Sequence, residues 1–129
     1  MLCPCGTTQS YDACCEPFHT GKNKPATAEQ LMRSRYSAYA LVKANYLYAT
    51  HHPDKRPNSV AEIQTWAESC TFEKLEVLGR SLGGPTDKIG KVEFRAHYRE
   101  SGEMHVMQEH SRFRRYRGQW VYYDGTFAD

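Results

Sequence analysis

Residues 91–100 read KVEFRAHYRE, and this stretch decides the fold class. Val92, Phe94, Ala96 and Tyr98 alternate with Glu93, Arg95, His97 and Arg99. A two-residue period puts the first set on one face of a strand and the second on the other, so one face packs and the other meets water. Working outward, three more strands fit at roughly residues 71–81, 103–115 and 119–124. Ser101-Gly102 and Arg117-Gly118 are turn pairs suited to tight hairpins, and Gly83-Gly84-Pro85 punctuates the longer connection. The second half of the chain is expected to be an antiparallel meander.

Upstream the period becomes helical. In LMRSRYSAYALVKANYLYAT, starting at Leu31, one stripe is Leu31, Ala38, Leu41 and Val42, and its neighbour is Met32, Tyr36, Tyr39 and Tyr46. Together they make a broad apolar and aromatic face for a core. Thr27 with Gln30 forms a capping box, predicting one helix from there to about Tyr48. His51-His52-Pro53 should end it, with imidazolium complementing the helix dipole. No carboxylate lies near this pair at zincin spacing, which argues against a metal site. A short second helix is expected at residues 58–69, capped by Ser59, with Val60, Ile63 and Trp66 or Ala67 facing inward. Helices first and a meander afterwards give an α+β fold, its twisted sheet wrapped around the long helix.

The first nineteen residues, MLCPCGTTQSYDACCEPFH, are of another kind. They hold four of the five cysteines, Cys3, Cys5, Cys14 and Cys15, with His19 one helical turn further on. Across Pro4, Cys3 and Cys5 can point to the same side and form a two-sulfur clip. The intervening polar loop has too little apolar surface for a core, so a metal would have to hold it together. Tetrahedral zinc accepts four thiolates, or three plus an imidazole. Adjacent cysteines diverge on a regular backbone, so either Cys15 or His19 can be the fourth ligand. Two residues before Cys3 leave no room for a secretory signal, and a reducing cytoplasm is expected; there, clustered cysteines favour metal or redox chemistry over disulfides.

CPCGTTQSYDACC resembles the SEC-C motif, the zinc module also found at the C-terminus of the bacterial preprotein translocase motor. Cys3, Pro4, Cys5, Gly6, Tyr11, Cys14 and Cys15 match, and Thr7-Thr8 stand where Ser-Gly is usual. The resemblance implies one structural zinc on Cys3, Cys5, Cys14 and Cys15, with His19 outside the set. LMRSRYSAY, YLYATHHP and EHSRFRRYRGQWVYYDG resemble the bacterial YchJ family, whose main domain is an NTF2-like cone, a strongly curved antiparallel sheet closed by helices. The implied organisation is a SEC-C motif at 1–20, a linker at 21–28 (GKNKPATA) and an NTF2-like domain at 29–129. Many such proteins carry a second SEC-C copy after the cone; none follows here before Asp129.

Seventeen Lys and Arg against fifteen Asp and Glu give a formal charge of +2, too small for general attraction to nucleic acid. No apolar run approaches the roughly 20 residues a bilayer span needs, so no membrane role is expected. The cone resemblance makes Glu109, Asp124 and His97 candidate acid–base groups, if the face bearing Glu109, Ser111 and Phe113 and that bearing Trp120, Tyr122 and Asp124 are concave. Arg33 or Arg35 from the helix would then pair Glu109 and lock helix to sheet. The basic run from His110 to Trp120 suggests nucleic acid or ribosome binding, but alternation splits its arginines between two faces. Cys70 reads as a small buried residue rather than a nucleophile. The resulting expectation is a zinc-stabilised protein-interaction or adaptor module on an NTF2-like scaffold. The alternative is a small-molecule binder or acid–base enzyme using the cone. A filled cone favours the first, and an open pocket with an unpaired carboxylate favours the second.

Overall fold

The computed structural model describes residues 1–128. A short 3₁₀ turn (Tyr11–Ala13) and α1 (Glu16–His19) precede α2 (Ala28–Ala40), α3 (Ala44–Ala49) and α4 (Val60–Glu68). Four strands follow, β1 (Cys70–Leu82), β2 (Ile89–Glu100), β3 (Glu103–Tyr116) and β4 (Gln119–Phe127). They form one antiparallel sheet in the order β1-β2-β3-β4. The protein is α+β. Among the described residues no helix is long and apolar enough to cross a membrane.

Local chemistry sets the element ends. Thr27 caps α2 by accepting from the Gln30 amide, while the Gln30 side chain accepts from the Ala26 amide at 2.8 Å. Ser59 caps α4 in the same way, accepting from Glu62. Both expected hairpin turns take left-handed backbone, with φ of 54° and 82° at Ser101-Gly102 and 52° and 80° at Arg117-Gly118.

The expected single helix to about Tyr48 is two helices. The chain turns at Val42, whose φ is 57°, and α3 folds back beside α2. A β-branched residue in that conformation is costly, and the reverse turn offsets the cost with contacts a straight helix would lack. The turn brings Leu47, Ala44 and Ala38 into one apolar cluster with Ile63 of α4. It also places the Leu47 carbonyl 2.8 Å from Arg35 Nη1, and the Tyr46 hydroxyl 2.7 Å from Ser34 Oγ.

The main core lies between α2 and the concave face of the sheet. Leu31, Met32 and Tyr36 of α2 meet Val92, Phe94, Ala96, Phe113 and Trp120. Register irregularities on β1 at Phe72/Lys74 and Val77/Gly79 bend that strand around the helix. A third, between Arg112 and Phe113, places Tyr122 opposite Phe113 and Asp124 opposite Arg112, leaving Tyr123 as the extra residue of β4. That bulge reverses the facing of everything beyond Tyr123.

Candidate functional site

At the N-terminus the sulfurs of Cys3, Cys5, Cys14 and Cys15 lie within 4.8 Å of one another. The Cys5–Cys14 and Cys14–Cys15 separations are 3.6 and 3.9 Å, close to the edge of about 3.8 Å that four sulfurs have around a tetrahedral zinc with bonds near 2.3 Å. All five cysteines are free thiols. The four can hold a metal ion. Cys5 is fully buried and its thiol is held down to about 4 by hydrogen bonds from Cys15 and Thr7 acting against burial, whereas burial pushes Cys14 up to about 11. Thr8 has φ 67°, so a threonine occupies the left-handed position where a glycine is usual in this motif.

His19 stands apart from the sulfurs, with both ring nitrogens engaged. Its Nε2 lies 2.8 Å from the Ser34 carbonyl and its Nδ1 2.7 Å from the Tyr11 hydroxyl. The carbonyl can only accept, so Nε2 carries the proton and Nδ1 accepts from Tyr11. Burial depresses its pKa. On the same side of α2, Arg33 Nη1 donates to the Cys5 carbonyl at 2.7 Å while its Nε pairs with Glu29. Residues 20–27 contain no helix or strand, yet Trp120 Nε1 donates to the Ala26 carbonyl at 3.1 Å. The knuckle is thus seated on α2.

The opposite side of α2 lines a cavity of about 320 Å³ inside the cone. Its wall is aromatic and aliphatic, including Met32, Tyr36, Tyr39, Trp66, Phe72 and Phe94. Glu109 enters it from β3 and is only 5% exposed. Its Oε2 accepts from Ser111 Oγ at 2.6 Å and from the Tyr122 hydroxyl at 2.7 Å. Burial and the neighbouring Glu109 charge push the Tyr122 phenol well up, keeping it a donor. Across the sheet Gly125 makes the room: a Cβ there would fall 2.2 Å from Glu109 Oε2.

The expected ion pair between Glu109 and Arg33 or Arg35 is absent; among the described residues no cation lies within 4.0 Å of this carboxylate. Arg33 turns to the knuckle. Arg35 Nη1 donates to the Leu47 carbonyl and Thr50 Oγ1, both at 2.8 Å, and the guanidinium lies over the Tyr122 ring, 4.9 Å from its centre. The break at Val42 is the reason, since it offers Arg35 helix-terminal oxygens that a straight helix would not.

Asp124 and His97, expected beside Glu109, lie on the outer face instead. The bulge at Tyr123 turns Asp124 outward, where Arg112 grips it with two bonds of 2.6 Å. His97 pairs with Glu76 of β1 at 2.6 Å on that same face, as its alternation with Tyr98 requires. Sequence reasoning missed His51, which lines the cavity. The backbone at Thr50 and His52 bonds Tyr122 on both sides at 2.8 Å, holding the His51 ring against Tyr122 at 4.9 Å. Burial, then Arg35, holds its pKa down to about 4, so it is uncharged at neutral pH rather than an imidazolium at a helix end. His52 packs edge-on against Tyr116 and Tyr123. In the basic run, Arg114 stacks outward on Tyr123, while Arg115 donates to the Asp87 and Pro85 carbonyls and covers Trp120. Cys70 is half-buried at the start of β1, where burial raises its pKa.

A cone of helices on a curved four-stranded sheet, with a polar group buried at its centre and a four-cysteine knuckle against its helix, defines an NTF2-like protein with an N-terminal SEC-C motif. Residues 27–125 match the family model described as YchJ, middle NTF2-like domain, and the chain belongs to the YchJ (UPF0225) family. A UPF0225 protein of Geobacter sulfurreducens is 45% identical over 96% of this chain and 78% of its own. Another, from Corynebacterium efficiens, is 42% identical over 100% of this chain and 95% of its own. The solution structure of a SEC-C motif containing protein from Rhodopseudomonas palustris superposes with a TM-score of 0.88 at 38% identity, covering all of both chains. The crystal structure of a SEC-C motif containing protein from Psychrobacter arcticus gives 0.83 at 28% identity, over 100% of this chain and 84% of that one.

Proposed function

We propose that this protein binds a small molecule in its cone, and that a structural zinc ion on Cys3, Cys5, Cys14 and Cys15 fixes the knuckle that braces α2. The observation that carries ligand binding is Glu109, a carboxylate buried in an apolar cavity with two hydroxyl donors and, among the described residues, no cation within ion-pair distance. Burying a charge is expensive unless it is paired. An unpaired one beside an open volume is the usual mark of a site that a ligand completes. Any acid–base step would rest on Glu109, with Tyr122 and His51 as the groups within reach to carry a proton.

The test is titration of the full-length protein with a neutral fluorescent probe such as N-phenyl-1-naphthylamine. Saturable one-to-one binding is expected, and it should be lost in Ala96→Phe and in Met107→Trp, both of which fill the cavity. Undiminished binding in both folded variants overturns the reading. Zinc, rather than another thiophilic metal, is supported by the all-sulfur set and its tetrahedral spacing. One zinc per chain by elemental analysis, with Cys70 the one readily titrated thiol, is expected, in keeping with a reducing cytoplasmic setting.

A second reading, the adaptor, has one observation in its favour. Met1 and Leu2, 76% and 67% exposed, stand beside the buried sulfurs and present a small apolar surface fixed by the knuckle. A protein partner held there should be lost on Leu2→Ser while probe binding in the cone is unchanged.

A further inference from the structure

The cavity is lined by one acidic and one basic side chain, each of which keeps atoms unbonded among the described residues. Among the residues that line it, Glu109 is the one carboxylate and Arg35 the one guanidinium. Glu109 uses only Oε2 for its two hydroxyl bonds, and Oε1 accepts nothing from the described residues. Among the described residues Arg35 uses only Nη1, and its Nε and Nη2 meet no acceptor there. Every sealed side-chain nitrogen and oxygen in the protein has a partner. The unbonded atoms of Glu109 and Arg35 are therefore reached by solvent, and both side chains line the cavity. Tyr122 separates the two groups: its hydroxyl donates to Glu109 and its ring lies under the guanidinium.

Resting on the reading of the cone as a ligand site, we infer that it takes an aromatic zwitterion, an α-amino acid or close analogue, with its ammonium on Glu109 Oε1 and its carboxylate on Arg35. A lone cation would face Arg35, a lone anion would face Glu109, and a neutral apolar molecule would strip water from both charges without replacing it. A zwitterion answers both. The aromatic wall of Tyr36, Tyr39, Trp66, Phe72 and Phe94 accepts a ring in edge or offset contact. A volume of about 320 Å³ is at the lower end of small-molecule sites, which suits an amino acid rather than a nucleotide.

The experiment is calorimetric titration of the full-length, metal-loaded protein with phenylalanine, phenethylamine, 3-phenylpropionate and 2-phenylethanol. These share a ring and differ in charge. Phenylalanine is expected to bind at least tenfold more tightly than each of the others. In Glu109→Gln, which keeps the side chain's shape, 3-phenylpropionate should equal or overtake it. Phenethylamine binding as well as phenylalanine overturns the inference, and so does binding of 2-phenylethanol alone. If none of the four binds while N-phenyl-1-naphthylamine still enters the cavity, the ligand class is wrong and the cone remains a binding site. If the probe is also excluded, both fall.

Discussion

The knuckle and the cone each bury polar atoms, and they do so by opposite means. In the knuckle, four sulfurs that can hold a metal ion are gathered with scarcely any apolar packing beyond Tyr11. In the cone, a single carboxylate is carried into a well-packed apolar interior and satisfied on one oxygen only. The first region offers four sulfurs that can hold an ion; the second leaves one carboxylate oxygen without a donor among the described residues. What joins them is α2, with Arg33, Ser34 and Ser37 turned to the knuckle and Met32, Arg35, Tyr36 and Tyr39 to the cavity.

The largest effect that would test this contrast is removal of one sulfur. Cys5→Ser should abolish stoichiometric metal binding, worth on the order of 10 kcal/mol locally. Amide protection should vanish across residues 1–20 while β2 and β3 keep theirs in hydrogen exchange. Loss of protection in both regions together would mean that they are one cooperative unit. Next, Phe113→Ala removes a core ring that also lines the cavity. Denaturant unfolding should show a loss of about 3–5 kcal/mol, with metal content unchanged. Gly125→Ala drives a methyl into the Glu109 carboxylate. A loss of about 1–3 kcal/mol is expected, with perturbation confined to the cone; a silent substitution would show that the carboxylate is free to move.

His51 is one source of pH dependence. Its folded pKa lies near 4, below the ordinary value of 6.5, so between those values the unfolded chain takes up the proton that the folded one refuses. Stability is then fully present above about pH 6.5 and falls as pH drops toward 4. Urea midpoints measured across that range should slope in the wild type and slope less in His51→Asn, with His19, also depressed by burial, supplying part of what remains. The smallest change is Thr8→Gly, which relieves a left-handed threonine. A gain of about 1 kcal/mol or less is expected in the metal-loaded protein, since glycine's extra freedom in the unfolded chain offsets part of the relief.

How legible each region was follows from the same contrast. The knuckle's cluster could be read from its cysteines, because a short loop fixes their spacing, but the choice between Cys15 and His19 could not; the structure gathers the four sulfurs and sets His19 against Ser34 and Tyr11. Thr27, Ser59 and the two Xaa-Gly turns were equally plain, since each meets a local backbone demand with its own side chain or its own freedom of φ. The cone's site was only half readable. Alternation puts Glu109 inward with Ser111 and Phe113, as found. The same rule puts Asp124 inward with Tyr122, and fails because the extra residue at Tyr123 is set by pairing with β3, with no turn residue there to announce it. The break at Val42 was hidden for a like reason: leucine, valine and lysine propagate a helix, and tertiary contacts alone bend it. With that bend went the partners of Arg35 and the position of His51, neither of which any local pattern encodes.

The strand order also sets a sequence in time. The last of the four cysteines precedes β4 by about a hundred residues, so on a ribosome the knuckle can capture its ion long before Glu109 meets Tyr122 or is given room by Gly125. Newly made chains thus pass through a stage in which one site is finished and the other holds an acid with no hydroxyl from β4 to steady it. The cysteine cluster and the cone would thus be exposed to faults at different moments of the protein's synthesis.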